Sequence, residues 1–254
     1  MSCKLLLAVL FLSAISLSAG TMIFQGNDPF PGTSCPDPSC DVIGLGSNFD
    51  IKSLTAWVSN SITSQVAIDL NFGNSSTLSP FADFGVNIAA GDVLFGVNGI
   101  LMYGLALTTH GAGINPGAPN GGTIVAGDLY KINNANGTIN AQQALGDPGL
   151  IYRNTQPVQL FDDGMGSVTD VSAGGTVSIS DLGDGTTDGR SLIVADFAST
   201  PALYLLANQM GFFAEYSPTC ANDIVQTATV PEPSSLTMLG AGLLLFGLRF
   251  VRRS

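Results

Sequence analysis

Histidine occurs once in the 254 residues, as His110, and glutamate only as Glu215 and Glu232. One imidazole and no four ligands at recognisable spacing leave no zinc site to read. A serine or cysteine nucleophile would have to take His110 as its base. That residue stands in Thr108-Thr109-His110-Gly111-Ala112-Gly113, a setting that suits a turn histidine at a strand end. Paired carboxylates for glycoside hydrolysis would have to come from the 17 aspartates, and no pair stands out among them. The Gly-rich stretch from Gly111 to Gly122 lacks the strand, helix and following lysine of a phosphate loop. Basic residues are scarce as well, 8 Lys and Arg against 19 Asp and Glu, for a net charge of −11. Such a balance argues against nucleic acid or an anionic membrane surface as a partner.

Long apolar runs are also missing. Near the start, Lys4 is followed by apolar residues from Leu5 to Leu12 and then by the small residues Ser13, Ala14, Ser16, Ser18, Ala19 and Gly20. That order predicts a secretory signal peptide over residues 1–20, cleaved after Ser18 or Gly20. The run is too short to span a bilayer, which takes about 20 residues. Cys3 precedes the apolar run and would leave with the peptide.

The other end reads VPEPSSLTMLGAGLLLFGLRFVRRS. Pro231 and Pro233 flank Glu232; each proline fixes its own φ and biases the preceding residue toward extended backbone, which suits a peptide entering an enzyme cleft. Leu236 to Leu248 carries no charge and includes Gly240, Gly242 and Gly247, as membrane helices often do. Arg249, Arg252 and Arg253 then supply a basic end that the positive-inside rule keeps cytoplasmic. As a helix the uncharged part reaches only about 20 Å, so spanning requires Arg249 to snorkel and Phe250 and Val251 to be counted.

Val230-Pro231-Glu232-Pro233-Ser234-Ser235, the short apolar stretch and the arginine cluster, in that order, resemble the PEP-CTERM sorting domain of Gram-negative bacteria. The resemblance covers about the last 25 residues. It implies that Pro231, Glu232 and Pro233 are the recognition element for exosortase, an integral-membrane cysteine transpeptidase. It also implies a transient stay in the inner membrane, then passage to the surface or medium, often in organisms that make extracellular polysaccharide. The basic end and the PEP tripeptide speak against a GPI signal.

Between the ends lies residues 21–229, long enough for one sizeable domain. It keeps 4 of the basic residues and 18 of the acidic ones, a net charge of about −14. The 31 glycines and 13 prolines punctuate short strand-like runs: Ile51 to Val58, Gln65 to Phe72, Val93 to Val97, Leu101 to Thr108, Thr123 to Ile132, Thr176 to Ser180, Ser191 to Phe197 and Ala202 to Ala207. Asn98-Gly99 marks a hairpin, and Gly91-Asp92, Asn136-Gly137 and Asp184-Gly185 mark turns. The expected fold is an all-β single sandwich of jelly-roll-like topology, with one helical turn around Asn140 to Leu145. Ala90-Gly91-Asp92-Val93-Leu94-Phe95 echoes Ala126-Gly127-Asp128-Leu129-Tyr130, and one echo is too few for a propeller.

Cys35, Cys40 and Cys220 remain after export, so either Cys35 pairs with Cys40 across a proline-stiffened loop or Cys220 pairs with one of them. Calcium is the best-motivated ligand: Asp181, Asp184 and Asp188 crowd into Asp181-Leu182-Gly183-Asp184-Gly185-Thr186-Thr187-Asp188-Gly189. Gly183 at the third position and the lack of a closing Glu depart from an EF-hand loop, and a solvated turn is the competing reading. Asn74-Ser75-Ser76 and Asn136-Gly137-Thr138 fit an N-glycosylation triplet, which says little in a bacterium. The leading expectation is a non-enzymatic surface or matrix protein processed by exosortase and associated with extracellular polysaccharide. A calcium- or carbohydrate-binding module and a secreted hydrolase with an unrecognised site, for which His110 is the residue to test, are the alternatives.

Overall fold

In the computed structural model the described residues are 21–27, 34–35, 42–43, 50–71, 81–83, 86–111, 121–145, 155–182, 190–219, 221 and 223–229. Strand β1 (Thr21–Asn27) is followed by the short β2 (Ser34–Cys35) and β3 (Val42–Ile43), which pair in parallel. Then come the hairpin of β4 (Ile51–Ser59) and β5 (Thr63–Asn71) and the small pair β6 (Phe81–Asp83) and β7 (Val86–Ile88). Next are β8 (Val93–Val97), β9 (Ile100–Leu105), β10 (His110–Gly111), β11 (Thr123–Ile124), β12 (Leu129–Ile132), β13 (Thr138–Asn140) and β14 (Pro157–Leu160). The described chain closes with β15 (Val168–Ser172), β16 (Thr176–Asp181), β17 (Arg190–Ala198), β18 (Phe212–Tyr216), β19 (Val225–Gln226) and β20 (Ala228–Thr229). Helices run over Ala141–Leu145 and Pro201–Ala207.

Two six-stranded antiparallel sheets form the expected sandwich. Sheet I has the order β16-β17-β5-β4-β1-β20, and sheet II the order β15-β12-β9-β8-β18-β19. The chain passes from sheet I to sheet II after β5, returns for β16 and β17, goes back for β18 and β19, and ends in sheet I with β20. Alternation drives sheet I: Leu54, Ala56 and Val58, then Val66, Ile68 and Leu70, then Ile193, Ala195 and Phe197 point into the core, while their neighbours are less buried. The facing side of sheet II contributes Phe95 and Phe212. Phe95 lies with ring centroids 6.3 Å from both Phe197 and Phe212, and Phe24 sits 4.5 Å from Phe212. The Phe24–Phe212 and Phe95–Phe197 contacts knit the two sheets together, each worth about 0.5–1.5 kcal/mol beyond its buried area.

Asn98 and Gly99 take positive φ of 51° and 79°, as a two-residue type I′ turn requires, and they join β8 to β9. The run from Ala202 to Ala207, expected as a strand, is helical instead. Thr200 caps it, its Oγ1 accepting from the Leu203 amide at 3.2 Å, and Pro201 occupies the first turn, where its missing N–H is not needed. Leu203, Leu206 and Ala207 share the buried face, the spacing of a helix and not of a strand.

A third layer lies on the outer side of sheet II. It comprises β10 with β11, β13 with β14, and the helix Ala141–Leu145, which falls where a helical turn was expected. Leu160 of β14 packs with Leu94, Ala106, Ile124, Tyr130 and Val168 in a second apolar cluster. Gly104 makes room for it: a Cβ there would stand 2.6 Å from the Leu160 side chain. With the core on one side and this cover on the other, all five residues of β8 are buried.

Candidate functional site

The cover is pinned to sheet II by one carboxylate. Asp92 immediately precedes β8 and is 1% exposed. Its Oδ1 accepts from the Leu107 amide at 3.1 Å and its Oδ2 from the Leu160 amide at 2.8 Å, so one side chain holds both the end of β9 and strand β14. His110 closes the group, with Nε2 3.4 Å from Asp92 Oδ2. Burial pushes the Asp92 carboxyl above its ordinary range, opposed by the nearby His110 and the two backbone amides.

The other contacts of His110 decide what this pair can do. Nδ1 lies 2.9 Å from the Thr108 carbonyl and Nε2 lies 3.2 Å from the Leu160 carbonyl. Each ring nitrogen therefore faces oxygen acceptors. A general base needs a ring lone pair directed at the proton of a nucleophile, and this arrangement directs none. The open space beside His110, against Gly122, Ile139 and Phe161, measures about 10 Å³, the room of one water. The geometry is that of a cross-link between cover and sheet.

Asp128 repeats the device. It precedes β12, is buried, and its Oδ1 accepts from the Gly174 amide at 2.7 Å, tying the start of that strand to the turn between β15 and β16. The sequence echo around Gly91-Asp92 and Gly127-Asp128 thus marks two equivalent anchors in one sheet. What the sequence did not disclose is that Asp92 meets His110, because the contact depends on the cover folding back over β8.

Glu215 is the other unusual carboxylate. It lies in β18 opposite Leu94, on the covered side of sheet II, where Gln156 donates to Oε1 at 2.6 Å and Gln226 to Oε2 at 3.4 Å. Burial drives its pKa up to about 7, and the Gln156 hydrogen bond only partly opposes this. A lone glutamate in the apolar run Phe212-Phe213-Ala214-Glu215-Tyr216 is the signal that could have found it.

Of the calcium candidates, Asp181 is the exposed last residue of β16, while Asp184 and Asp188 lie outside the described residues. Among the described residues no group of three or more His, Cys, Asp or Glu could hold a metal ion. Cys40 and Cys220 lie outside the described residues, as does the segment 1–20 expected to be a signal peptide; for Cys35 only the backbone is described.

The candidate tail begins where the sandwich ends. Strand β19 pairs with β18 in sheet II, Glu215 facing Gln226 and Tyr216 facing Val225. After Thr227 the chain changes sheet, and β20 pairs with β1, Phe24 facing Thr229 and Gln25 facing Ala228. Thr227 itself bonds Ala214 through both its amide, at 2.8 Å, and its hydroxyl, at 2.9 Å. Residues 229–253 match the family model described as the PEP-CTERM protein-sorting motif. The chain carries a PEP-CTERM sorting motif. The match overlaps β20 by one residue, so the PEP-CTERM motif follows the last strand with no linker. It contains Pro231, Glu232, Pro233, Arg249, Arg252 and Arg253, all outside the described residues. The motif marks an exported, surface-directed protein with an exosortase as its processing partner. Comparison with curated proteins and with solved structures finds no match. Among the described residues no helix is long and apolar enough to cross a membrane.

Proposed function

We propose that the protein is a non-enzymatic component of the cell surface or extracellular matrix. It is held first in the inner membrane by Leu236 to Leu248, with Arg249, Arg252 and Arg253 on the cytoplasmic side, and is then cut by exosortase at the Pro231-Glu232-Pro233 segment. After release the sandwich works in the extracellular polysaccharide layer. The observation that carries this reading is the PEP-CTERM motif placed directly after the strand that completes sheet I. Two features of the domain support it. His110 and Asp92 are engaged in holding the cover, and a domain of net charge about −14 stays soluble and separate in a hydrated polymer.

Intact mass of the protein from its native host, beside Pro231→Ala/Pro233→Ala, tests the processing. The parent is expected to lack residues 1–20 and to end at or near the PEP segment, while the variant keeps its tail in the membrane fraction. A parent that retains Ser254 in every fraction overturns the proposal. The same spectra with and without reduction report whether Cys35 pairs with Cys40 or Cys220 pairs with one of them.

A further inference from the structure

One end of the sandwich differs from the rest of the surface. It is built from the turn between β4 and β5, the turn between β8 and β9, and the segment from Ala198 to Gly211 that carries the helix Pro201–Ala207. Hydrogen bonds join the three: the Ser199 amide donates to the Ile62 carbonyl at 3.1 Å and the Asn98 amide to the Gly211 carbonyl at 2.9 Å. Four large apolar side chains project from this end, with Met210 92% exposed, Ile62 87%, Ile100 67% and Leu205 66%. Residues 59–64, 97–101 and 198–212 contain no Asp, Glu, Lys or Arg, in a chain of net charge −11. At the opposite ends of β4, β5, β16 and β17 stand Asp50, Lys52, Asp69, Asp181 and Arg190.

The first and last described strands both point toward the uncharged end, β1 with its start and β20 with its finish. Thr21, the first residue of β1, is the partner of Ser59, which leads into the turn bearing Ile62. β20 runs antiparallel to β1, from opposite Gln25 to opposite Phe24, so at Thr229 it points along β1 toward Thr21. Only seven residue steps separate Thr229 from Leu236, where the uncharged part of the tail begins. Fully extended, they reach about 25 Å.

We propose that this end is a membrane-contact face: while the tail is anchored, Ile62, Ile100, Leu205 and Met210 rest in the headgroup region of the bilayer. The inference rests on the anchoring proposed above. The short span keeps the domain within about 25 Å of the lipid. Of the surfaces it can turn toward the bilayer, this end carries no charge in its three segments, with Asp196 set two residues back along β17 and bonded to Gln65, and it gains from burying its apolar side chains. The acidic remainder is turned away, consistent with repulsion from anionic headgroups. Processing would break the tether and leave four apolar contacts too few to retain the domain, so release follows from the cut.

The test uses the full-length chain, with methyl-labelled isoleucine, leucine and methionine, in phosphatidylcholine nanodiscs containing a nitroxide-headgroup lipid. The methyl signals of Ile62, Ile100, Leu205 and Met210 are expected to lose most of their intensity, whereas Ile179 and Leu182, toward the charged end, keep theirs. Ile62→Asp/Met210→Asp, at two highly exposed positions, is expected to restore the Ile100 and Leu205 signals. Co-elution of chain and disc reads the anchoring separately. A chain that co-elutes with all these methyls broadened alike, or none, overturns the contact face alone. A chain that does not co-elute overturns the anchoring and the contact face together.

Discussion

In sheet I, β5 and β17 bury every second residue; in sheet II, β8 is buried at all five positions. The difference follows from what lies on the outer faces. Sheet I presents its outer face to water, so β5 and β17 obey a strict alternation. Sheet II is partly enclosed between the core and the cover, so its central strand is apolar throughout and its polar needs are met by fixed partners. The carboxylates with raised pKa, Asp92 and Glu215, both belong to this enclosed side. The comparison teaches that unusual carboxylate chemistry here arises from a cover layer that must be fastened down, and that a buried His–Asp contact can be part of the fastening.

Removing the fastener should have the largest effect. Asp92→Ala leaves the Leu107 and Leu160 amides without their acceptor and is expected to cost about 3–5 kcal/mol in urea denaturation. Hydrogen exchange should show β13 and β14 losing protection before β4 and β5. Equal loss in both sheets would break the distinction between cover and core.

Glu215→Gln sharpens it from the other direction. A carboxyl that ionises near pH 7 in the folded domain and near 4.5 in the unfolded chain takes up a proton on folding between those values. Its contribution is therefore most favourable below about pH 4.5, and stability declines as pH rises toward 7. Relative to the parent, Glu215→Gln is expected to gain roughly 3 kcal/mol at pH 8 and to lose that advantage at pH 4. Urea midpoints of the two proteins across this range decide the matter.

Smaller effects are expected away from the cover. Thr200→Ala removes the cap of the helix Pro201–Ala207 and should lower stability by about 1 kcal/mol in the same assay. On the open face of sheet I, Arg190 makes a two-pronged contact with Asp69, its Nε 2.8 Å from Oδ1. Because the Arg190 side chain is 47% exposed, Arg190→Ala should cost less than about 1 kcal/mol and the cost should shrink in high salt. A loss comparable to that of Asp92→Ala would mean that the open face is as tightly fixed as the enclosed one.

The same contrast explains what could be read from the residues alone. Sheet I was legible at β4, β5, β16 and β17, because one wet face and one dry face write themselves as alternation. Hairpin β8–β9 was legible through Asn98-Gly99, a turn fixed by two adjacent residues. The segment Ala202 to Ala207 reads as a strand because Ala-Leu-Tyr-Leu-Leu-Ala is apolar in either period, and the deciding signal is Thr200-Pro201 just before it. β1 and β18 carry weaker signals: the first mixes Thr21, Gln25, Gly26 and Asn27 with its apolar residues, and the second carries Glu215 in an otherwise buried run. The tail was the most legible part, since a sorting motif is recognised as a linear peptide. The Asp92–His110 contact was hidden because 18 positions separate its partners and only the cover brings them together.

Pairing β1 with β20 sets the order of events during export. The first strand of the domain waits for the last: sheet I cannot be completed until Ala228 and Thr229 have reached Gln25 and Phe24. A chain exported amino end first must bring nearly the whole domain across before its edge can close. The sorting motif, which begins at residue 229, is then the next segment to arrive. In a chain exported that way, completion of the fold and arrival of the motif would coincide, and a domain stalled before closing would carry its tail on an unfinished sheet.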